Sequence, residues 1–448
     1  MTAVPTVPPV SDQPRDDLSS HTSLSARSRS WPEPLAREAF YGLAGDIVRA
    51  IDPVTEADPA AVLMQLLVAA GNAAGRRPYF QVEGNRHGLN LSAAVVGDTS
   101  KARKGTSWGR VVDLMRSADP EWAGAHIVTG LSSGEGLIWA VRDPISKTEA
   151  IRDPKTKEVI DYQEVIVDEG IADKRLLVVE SELASTLRVM GRDGNTLSPV
   201  LREAWDSGDL RTLTKNSPAV ATGAHISVIG HITSDELRRY LDRTEVANGL
   251  GNRFLWVCSR RSKILPEGGG EVVGRADLVR RLHRALAFAG DVDELRRDDE
   301  ARQVWNAVYP KLSEGAPGLL GAMTARAEAQ VMRLAALYAV MDRSVLIRVE
   351  HLYAALAVWD YVASSVAFTF GDSLGDPVAD ELLEALRSRP EGMTRTEIRD
   401  LFGRHRSSDQ IGRALISLHV LNLIDSRTES TGGRPAERWF AVSTIGGN

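Results

Sequence analysis

The sequence predicts an α/β fold: a largely parallel sheet covered on both faces, flanked by helical regions and followed by a C-terminal winged helix. Three observations predict it. Short apolar runs alternate with helix-period segments between residues 89 and 258, the pattern of a parallel sheet wrapped by helices. Residues 276–370 carry helical periodicity throughout. The last seventy residues read as three helices and a β-hairpin, the winged variant of helix-turn-helix.

Composition sets the outer limits. The 448 residues allow two or three domains at roughly 150 residues each. Apolar content of 43% and charge of 25% are globular averages, which excludes collagen and wholesale disorder. Lys+Arg total 54 against 60 Asp+Glu, a net charge of −6, so a uniformly basic nucleic-acid coat is excluded and a local basic face is not. Cys258 is the only cysteine. That excludes a disulfide framework and a cysteine zinc site, and suits a reducing cytoplasm. No uninterrupted apolar run reaches about 18 residues, so no membrane partner is expected.

The elements follow in order. Residues 1–30 are rich in Pro, Ser and Asp, and such a segment buries too little to offset its ordering entropy, which predicts a disordered tail. A helical N-terminal region spans 31–88, with Asp58-Pro59 as N-cap and first helical position. An α/β core spans 89–265. It opens with strand LNLSAAVV (89–96), a Gly- and Lys-containing turn and a helix over 106–116. The polar stretch 143–170 predicts an inserted surface hairpin. Strand 176–180, a long amphipathic helix over 182–206, strand 225–230, a helix over 234–241 and strand 252–258 complete the core. The helical region 276–370 and the winged-helix domain 377–448 follow, the latter with Thr394 placed to cap a short helix.

The chemistry concentrates at the first turn. Gly97-Asp98-Thr99-Ser100-Lys101-Ala102-Arg103-Lys104-Gly105-Thr106-Ser107 leaves a buried strand and opens a helix. Backbone N–H groups at a helix start hold phosphate, a lysine neutralises it, and a Thr or Ser hydroxyl can ligate magnesium. The spacing departs from G-x4-G-K-[ST]: Arg103 stands where glycine precedes the lysine, and Gly105 follows it. The same residues also fit an ordinary basic loop. Strand 176–180 ends in Glu180-Ser181-Glu182, on the side where α/β sheets bind nucleotides. One carboxylate can hold magnesium and the other orient water; equally, the pair can complement a helix N-terminus. Asp168-Glu169 imitates this pattern but lies in the polar insertion and meets Gly170. His231, at the tip of strand 225–230, can sense a γ-phosphate, while Thr233 or Ser234 caps the next helix. The turn Asn248–Asn252 presents Arg253, either as an arginine finger toward a neighbour or as an ordinary salt-bridge partner.

For duplex DNA the candidates are Arg404, Arg406, Ser408, Gln410 and Arg413 around the start of the helix SSDQIGRALISLHVLNLI, with Arg434 and Arg438 on the wing. Residues 390–440 hold eight Arg and seven acidic residues, so a basic face there arises by segregation. Winged helices also dock proteins.

The ARKGTS loop (102–107), DKRLLVVESE (173–182), GNRFLWV (251–257) and TGGRPAERW (431–439) together make the chain resemble the domain-of-unknown-function 3987 proteins of bacteria, phages and integrative elements. The resemblance covers roughly Trp31 to Trp439. From the residues themselves Gly97, Arg103, Gly105, Ser107 and His231 are candidates around the nucleotide, and the resemblance implies a RecA-like P-loop ATPase using ATP and Mg2+, with Lys104 and Thr106 as its nucleotide-loop residues. It further implies Thr106 and Glu180 on the metal, Glu182 on the attacking water, and Arg253 as the finger. A ring-shaped homo-oligomer such as a hexamer, single-stranded DNA in the ring and a separate primase are implied likewise. The function expected is an ATP-dependent helicase or translocase in mobile-element or phage replication. The alternatives are a non-catalytic DNA-binding initiator with a degenerate nucleotide site, and a DNA-independent ATPase in defence or partner assembly.

Overall fold

A computed structural model describes residues 31–97, 102–213, 219–241, 245–246, 248–316, 318–371, 377–421, 423–429 and 436–442. The predicted tail, 1–30, lies outside them. The protein is mixed α/β with parallel sheets, and about half of it is helical.

Helices α1 (Gly42–Ile51) and α2 (Pro59–Ala74) come first. Asp58 caps α2 by accepting the Ala60 N–H at 3.0 Å, with Pro59 behind it, since proline loses no bond at a helix start. Strands β1 (Tyr79–Val82) and β2 (Asn85–Gly88) form a hairpin, and β3 (Ala93–Gly97) enters the core. Next come α3 (Lys104–Ala118), α4 (Pro120–Ala125), β4 (Ile127–Val128) and α5 (Gly134–Trp139). Strands β5 (Ile145–Arg152) and β6 (Val159–Asp168) pair antiparallel as the exposed hairpin inserted before β7 (Arg175–Glu180).

The predicted helix over 182–206 is two helices, α6 (Leu183–Met190) and α7 (Leu197–Asp206). Gly194 takes φ +78° between them, and Asn195 Oδ1 accepts the Leu197 N–H at 2.9 Å. That is turn chemistry competing with helix. Short strands β8 (Leu210–Arg211) and β9 (Val220–Ala221) precede β10 (His225–Thr233), α8 (Ser234–Tyr240) and β11 (Leu255–Cys258).

Strands β11-β3-β10-β7-β4 form one parallel sheet in that order. Its side chains sort by strand period: Leu177, Val179, Ile229 and Val257 pack into the core shared with α2, whereas Leu176, Val178, Val228 and Trp256 pack on the opposite side with α5 to α7. This order is compatible with a Rossmann- or RecA-like fold.

Region 276–370 contains α9 (Arg275–Ala289), β12 (Glu294–Arg297), α10 (Asp299–Ser313), α11 (Gly318–Thr324), α12 (Ala327–Met341), β13 (Leu346–Ile347) and α13 (Val349–Phe370). The two strands correct the all-helical expectation. They join the first hairpin in a second sheet, β13-β12-β1-β2, so the N-terminal region and this region share one core. Helix α13 is the one described helix long and apolar enough to cross a membrane, yet most of it is buried in the protein. Ser365 and Tyr361 bond the two main-chain polar groups of Cys258 at 3.1 and 2.8 Å.

The C-terminal residues form α14 (Pro377–Arg387), β14 (Met393–Thr394), α15 (Arg395–Leu401), α16 (Ser408–Val420), β15 (Ile424–Glu429) and β16 (Ala436–Ala441). The strands pair antiparallel as β14-β16-β15. Leu382, Ile398, Leu415 and Trp439 belong to a core separate from the other two. Thr394 and Ser407 each close a capping box.

Candidate functional site

The chain runs from β3 to the far edge of the sheet, returns through β7 and β10, and finishes at β11 on the other side of β3. The order therefore reverses at β3, and a crevice forms outside the carboxyl ends of strands at such a point. Gly97, the last residue of β3, lies opposite Thr233 of β10. A Cβ on Gly97 would sit 2.6 Å from the Ala102 Cβ and 3.1 Å from Lys104 Nζ. Lys104 therefore lies back over the strand end, and a side chain at 97 would collide with Ala102. Residues 98–101 of the predicted loop lie outside the described residues.

Arg103 stands at the N-cap of α3 with φ +55° and ψ +29°. A left-handed residue leading into a right-handed helix turns successive N–H groups toward one point, an anion-binding concavity. Such a conformation is uncommon for a residue with a side chain. Arg103 Nε meets Glu56 Oε2 at 2.6 Å, and Arg261 reaches the same oxygen at 3.1 Å. The Leu265 N–H and then these two cations hold the Glu56 carboxyl below its ordinary range. Gly105 has open space where a Cβ would stand, and Thr106 is exposed beside it.

Ser107 departs from the sequence expectation. It is fully buried, its Oγ accepting from Gln65 Nε2 at 2.6 Å and donating to the Lys104 carbonyl at 2.6 Å. Gln65 Nε2 also donates to the Ala61 carbonyl at 2.9 Å, so Gln65 Oε1 accepts from His231 Nε2–H at 3.0 Å. Burial first, then the Lys104 charge, push His231 down to about 4, so it is neutral near pH 7. His231 is buried and reaches the first turn of α3 from within, through Gln65, rather than opening on the crevice. Ser107 and His231 thus position the turn; neither presents itself to a ligand.

Glu180 lies level with Gly230 of β10. Its Oε1 accepts the N–H groups of Gly130 and Leu131 at 2.8 and 2.7 Å. That oxygen fixes the turn after β4; among the described residues Oε2 makes no hydrogen bond. Glu182 is exposed at the N-cap of α6 and makes no capping bond. Asp168, the imitation set aside from sequence, is taken by Arg142 at 2.9 Å.

Arg253 takes the second of its two readings, the salt-bridge partner. Its side chain is buried rather than presented: one Nη bonds the Gly249 carbonyl at 2.7 Å, the other bonds Asp206, and the guanidinium lies over Trp205. Gly249 has φ +83°, and a Cβ there would come 2.9 Å from that Nη. The glycine turn folds the arginine inward because α7 ends with a carboxylate waiting for it.

In the C-terminal module Arg404, Arg406, Ser408 and Arg413 are exposed. Arg404 has φ +64° and pairs with Asp400 at 2.9 Å. The Gln410 amide oxygen accepts the Ser407 N–H at 2.9 Å, closing the cap. Arg438 is held by Glu429 at 2.9 Å and Glu397 at 3.5 Å, so it braces the sheet. Arg434 lies outside the described residues.

Sequence reasoning missed Gln65 and Asn72. Asn72 donates to the carbonyls of Leu176 and His225, each at 3.0 Å, and accepts from Trp122 Nε1 at 3.0 Å. The signal was present: these are the two polar side chains within an otherwise apolar PAAVLMQLLVAAGNAA, two turns apart on one face. Among the described residues no group of three or more His, Cys, Asp or Glu is placed to hold a metal ion. Magnesium bound with a nucleotide needs only one or two protein ligands beside phosphate and water, and the Thr106 hydroxyl and the Glu180 carboxylate are oxygen donors of that kind. A scan against protein-family models finds no match for this chain, and a search of curated proteins finds none.

Proposed function

We propose that the protein is an ATP-dependent, helicase- or translocase-like ATPase acting on DNA in the replication of a mobile element or phage. The observation that carries the reading is Lys104 folded back over Gly97, at the start of α3 and at the sheet's switch point. The RecA-like assignment, the resemblance to the domain-of-unknown-function 3987 proteins and a ring-shaped homo-oligomer belong to the same proposal.

In this reading the N–H groups at 103–105 and the Lys104 ammonium hold the β- and γ-phosphates of ATP. Thr106 and the second carboxylate oxygen of Glu180 would hold magnesium, which supplies charge neutralisation at the transferring phosphate. Glu182, exposed and with its side chain making no capping bond, orients the attacking water. Ser107, Gln65 and His231 keep the turn in one arrangement, as a buried polar network does when its members are satisfied. Arg253 takes no part, because its charge is already paired with Asp206 inside the chain.

The C-terminal module is the DNA grip, a winged helix whose α16 enters the major groove with Arg406, Ser408 and Arg413 foremost. One observation favours a second reading of this module. Ile416 and Val420 are 65% and 72% exposed on α16, apolar surface that suits a protein partner better than a phosphate backbone.

The test is ATP hydrolysis with and without DNA. Hydrolysis stimulated by DNA should fall by about two orders of magnitude in Lys104→Ala and Glu182→Gln. Duplex binding with no turnover in the wild type would replace the motor by a DNA-binding initiator, and turnover indifferent to DNA would point to a partner-assembly ATPase.

A further inference from the structure

A cavity of about 430 Å³ opens between β1, β12, α10 and the start of α12, and no residue of the 97–107 turn lines it. Its floor is aromatic: Phe80 and Trp305 are buried, and Tyr309 is half-exposed at its edge. Over that floor lies Arg297, its guanidinium carbon 5.2 Å from the Phe80 ring centre and 5.1 Å from that of Trp305. Among the described residues no carboxylate pairs with Arg297; the contact it makes is with Met332 Sδ at 4.0 Å, a weak acceptor. Arg297 is half-buried; a guanidinium partly withdrawn from water without a counter-charge is costly, and burial, then the neighbouring Arg302 charge, lower its proton affinity.

Two further groups converge there. Arg326 shares the cavity wall and reaches Asp206 at 3.5 Å. His87 has Nδ1 buried with no hydrogen-bond partner. Burial, then Arg333, push His87 down to about 4, so it is a neutral ring able to accept or donate. Glu83 and Glu328 complete the polar lining.

We propose that this cavity binds one nucleoside monophosphate unit, its base against the Trp305–Tyr309 wall and its phosphate on Arg297. The aromatic floor with a stacked guanidinium suits a flat π face, and an unpaired planar fork suits phosphate oxygens. His87 and the two glutamates offer acceptors to ring and exocyclic N–H groups. Two arginines opposed by two glutamates favour a single phosphate over a triphosphate, and the volume lies in the range of small-ligand pockets.

The unit can be a free nucleotide or one residue of a single strand, and the experiment separates them. The full chain is photolysed with 8-azidoadenosine monophosphate and its tryptic peptides are mapped. Label should appear on residues 303–311, drop about tenfold in Arg297→Leu through loss of a charge-assisted pair, and persist in Lys104→Ala. Tyr309→Ala, at a half-exposed position, should lower the label as well and serves if Arg297→Leu fails to fold. Competition by unlabelled AMP alone identifies a free nucleotide; competition also by a deoxythymidine dodecamer identifies a strand. Absence of label on 303–311, or label untouched by both substitutions, overturns the proposal. Label confined to peptides around 102–107 would overturn it while leaving the ATPase reading standing, and label on 303–311 in a chain that binds no ATP would do the reverse.

Discussion

The sheet core and the C-terminal module treat polar side chains in opposite ways. Beneath the sheet Gln65, Asn72, Ser107, His225, His231 and Arg333 are all at most 5% exposed, and most of their polar atoms have partners inside the protein. In the module Arg404, Arg406 and Arg413 stand in solvent, and the pair that Arg404 forms with Asp400 is a surface pair. Buried groups of the first kind cost free energy whenever a partner is removed. Exposed pairs of the second kind contribute about 0–1 kcal/mol. The difference teaches where stability and function are coupled: substitutions under the sheet should move both, and substitutions on α16 should move binding alone.

The largest effect is expected at Arg333. It donates to the Asn90 side chain at 2.6 Å and the Trp205 carbonyl at 2.8 Å, and stacks 3.8 Å from the Trp205 ring centre. Arg333→Ala strands those acceptors and should lower unfolding free energy by about 3–5 kcal/mol, read from the urea midpoint. A loss below 1 kcal/mol would break the contrast at its strongest point.

Gln65→Leu comes next. It leaves the His231 Nε2–H without its acceptor, at about 1–3 kcal/mol, while the Ser107 hydroxyl loses the Gln65 donor and keeps its bond to the Lys104 carbonyl. Because both groups hold the first turn of α3, ATP affinity should weaken in the same variant; unchanged affinity would uncouple network from site.

Acid should reveal the same layer. His225, pushed down to about 3, and His231, pushed down to about 4, are both neutral in the folded chain because burial disfavours their charge. The unfolded chain takes up these protons near its ordinary pKa of 6.5, so it binds more protons than the native state below that pH. Stability from these groups is therefore full above pH 6.5 and declines as pH falls toward 4. Urea midpoints between pH 7 and 4 check this, with a shallower decline expected in His231→Gln.

The smallest stability effect is expected at Arg413, exposed on α16. Arg413→Gln should leave unfolding within about 0.5 kcal/mol while lowering duplex affinity and reducing the steepness of its salt dependence. Equal loss of stability and binding would erase the distinction between the two regions.

How legible this was depends on the element. Four of the five parallel strands were readable because each is an apolar run punctuated by turns, whereas β4, only Ile127–Val128, was too short to register; Asp58-Pro59, Thr394 and the 143–170 hairpin announced themselves through cap and turn chemistry. The second sheet was hidden because β12 is Glu-Leu-Arg-Arg, with Leu295 as its one buried side chain, and because its partners lie far away in sequence. The split at Gly191–Thr196 was visible in Asp193-Gly194-Asn195 but was overridden by the longer helical period. At the site, residue identity placed Gly97 and Lys104 on one turn, yet it could not say which hydroxyl faces inward. Ser107 turns to the core and Thr106 to solvent, a fact of helix phase. Arg253 was misread because its carboxylate, Asp206, lies on a different element and only the fold brings them together.

The most direct measurement is calorimetric titration of the folded chain with ATP at saturating magnesium, wild type beside Lys104→Ala. The expected result is a saturable heat in the wild type that the substitution abolishes. No saturable heat from folded wild-type protein, or the same binding curve in both, would contradict a triphosphate site at the end of β3.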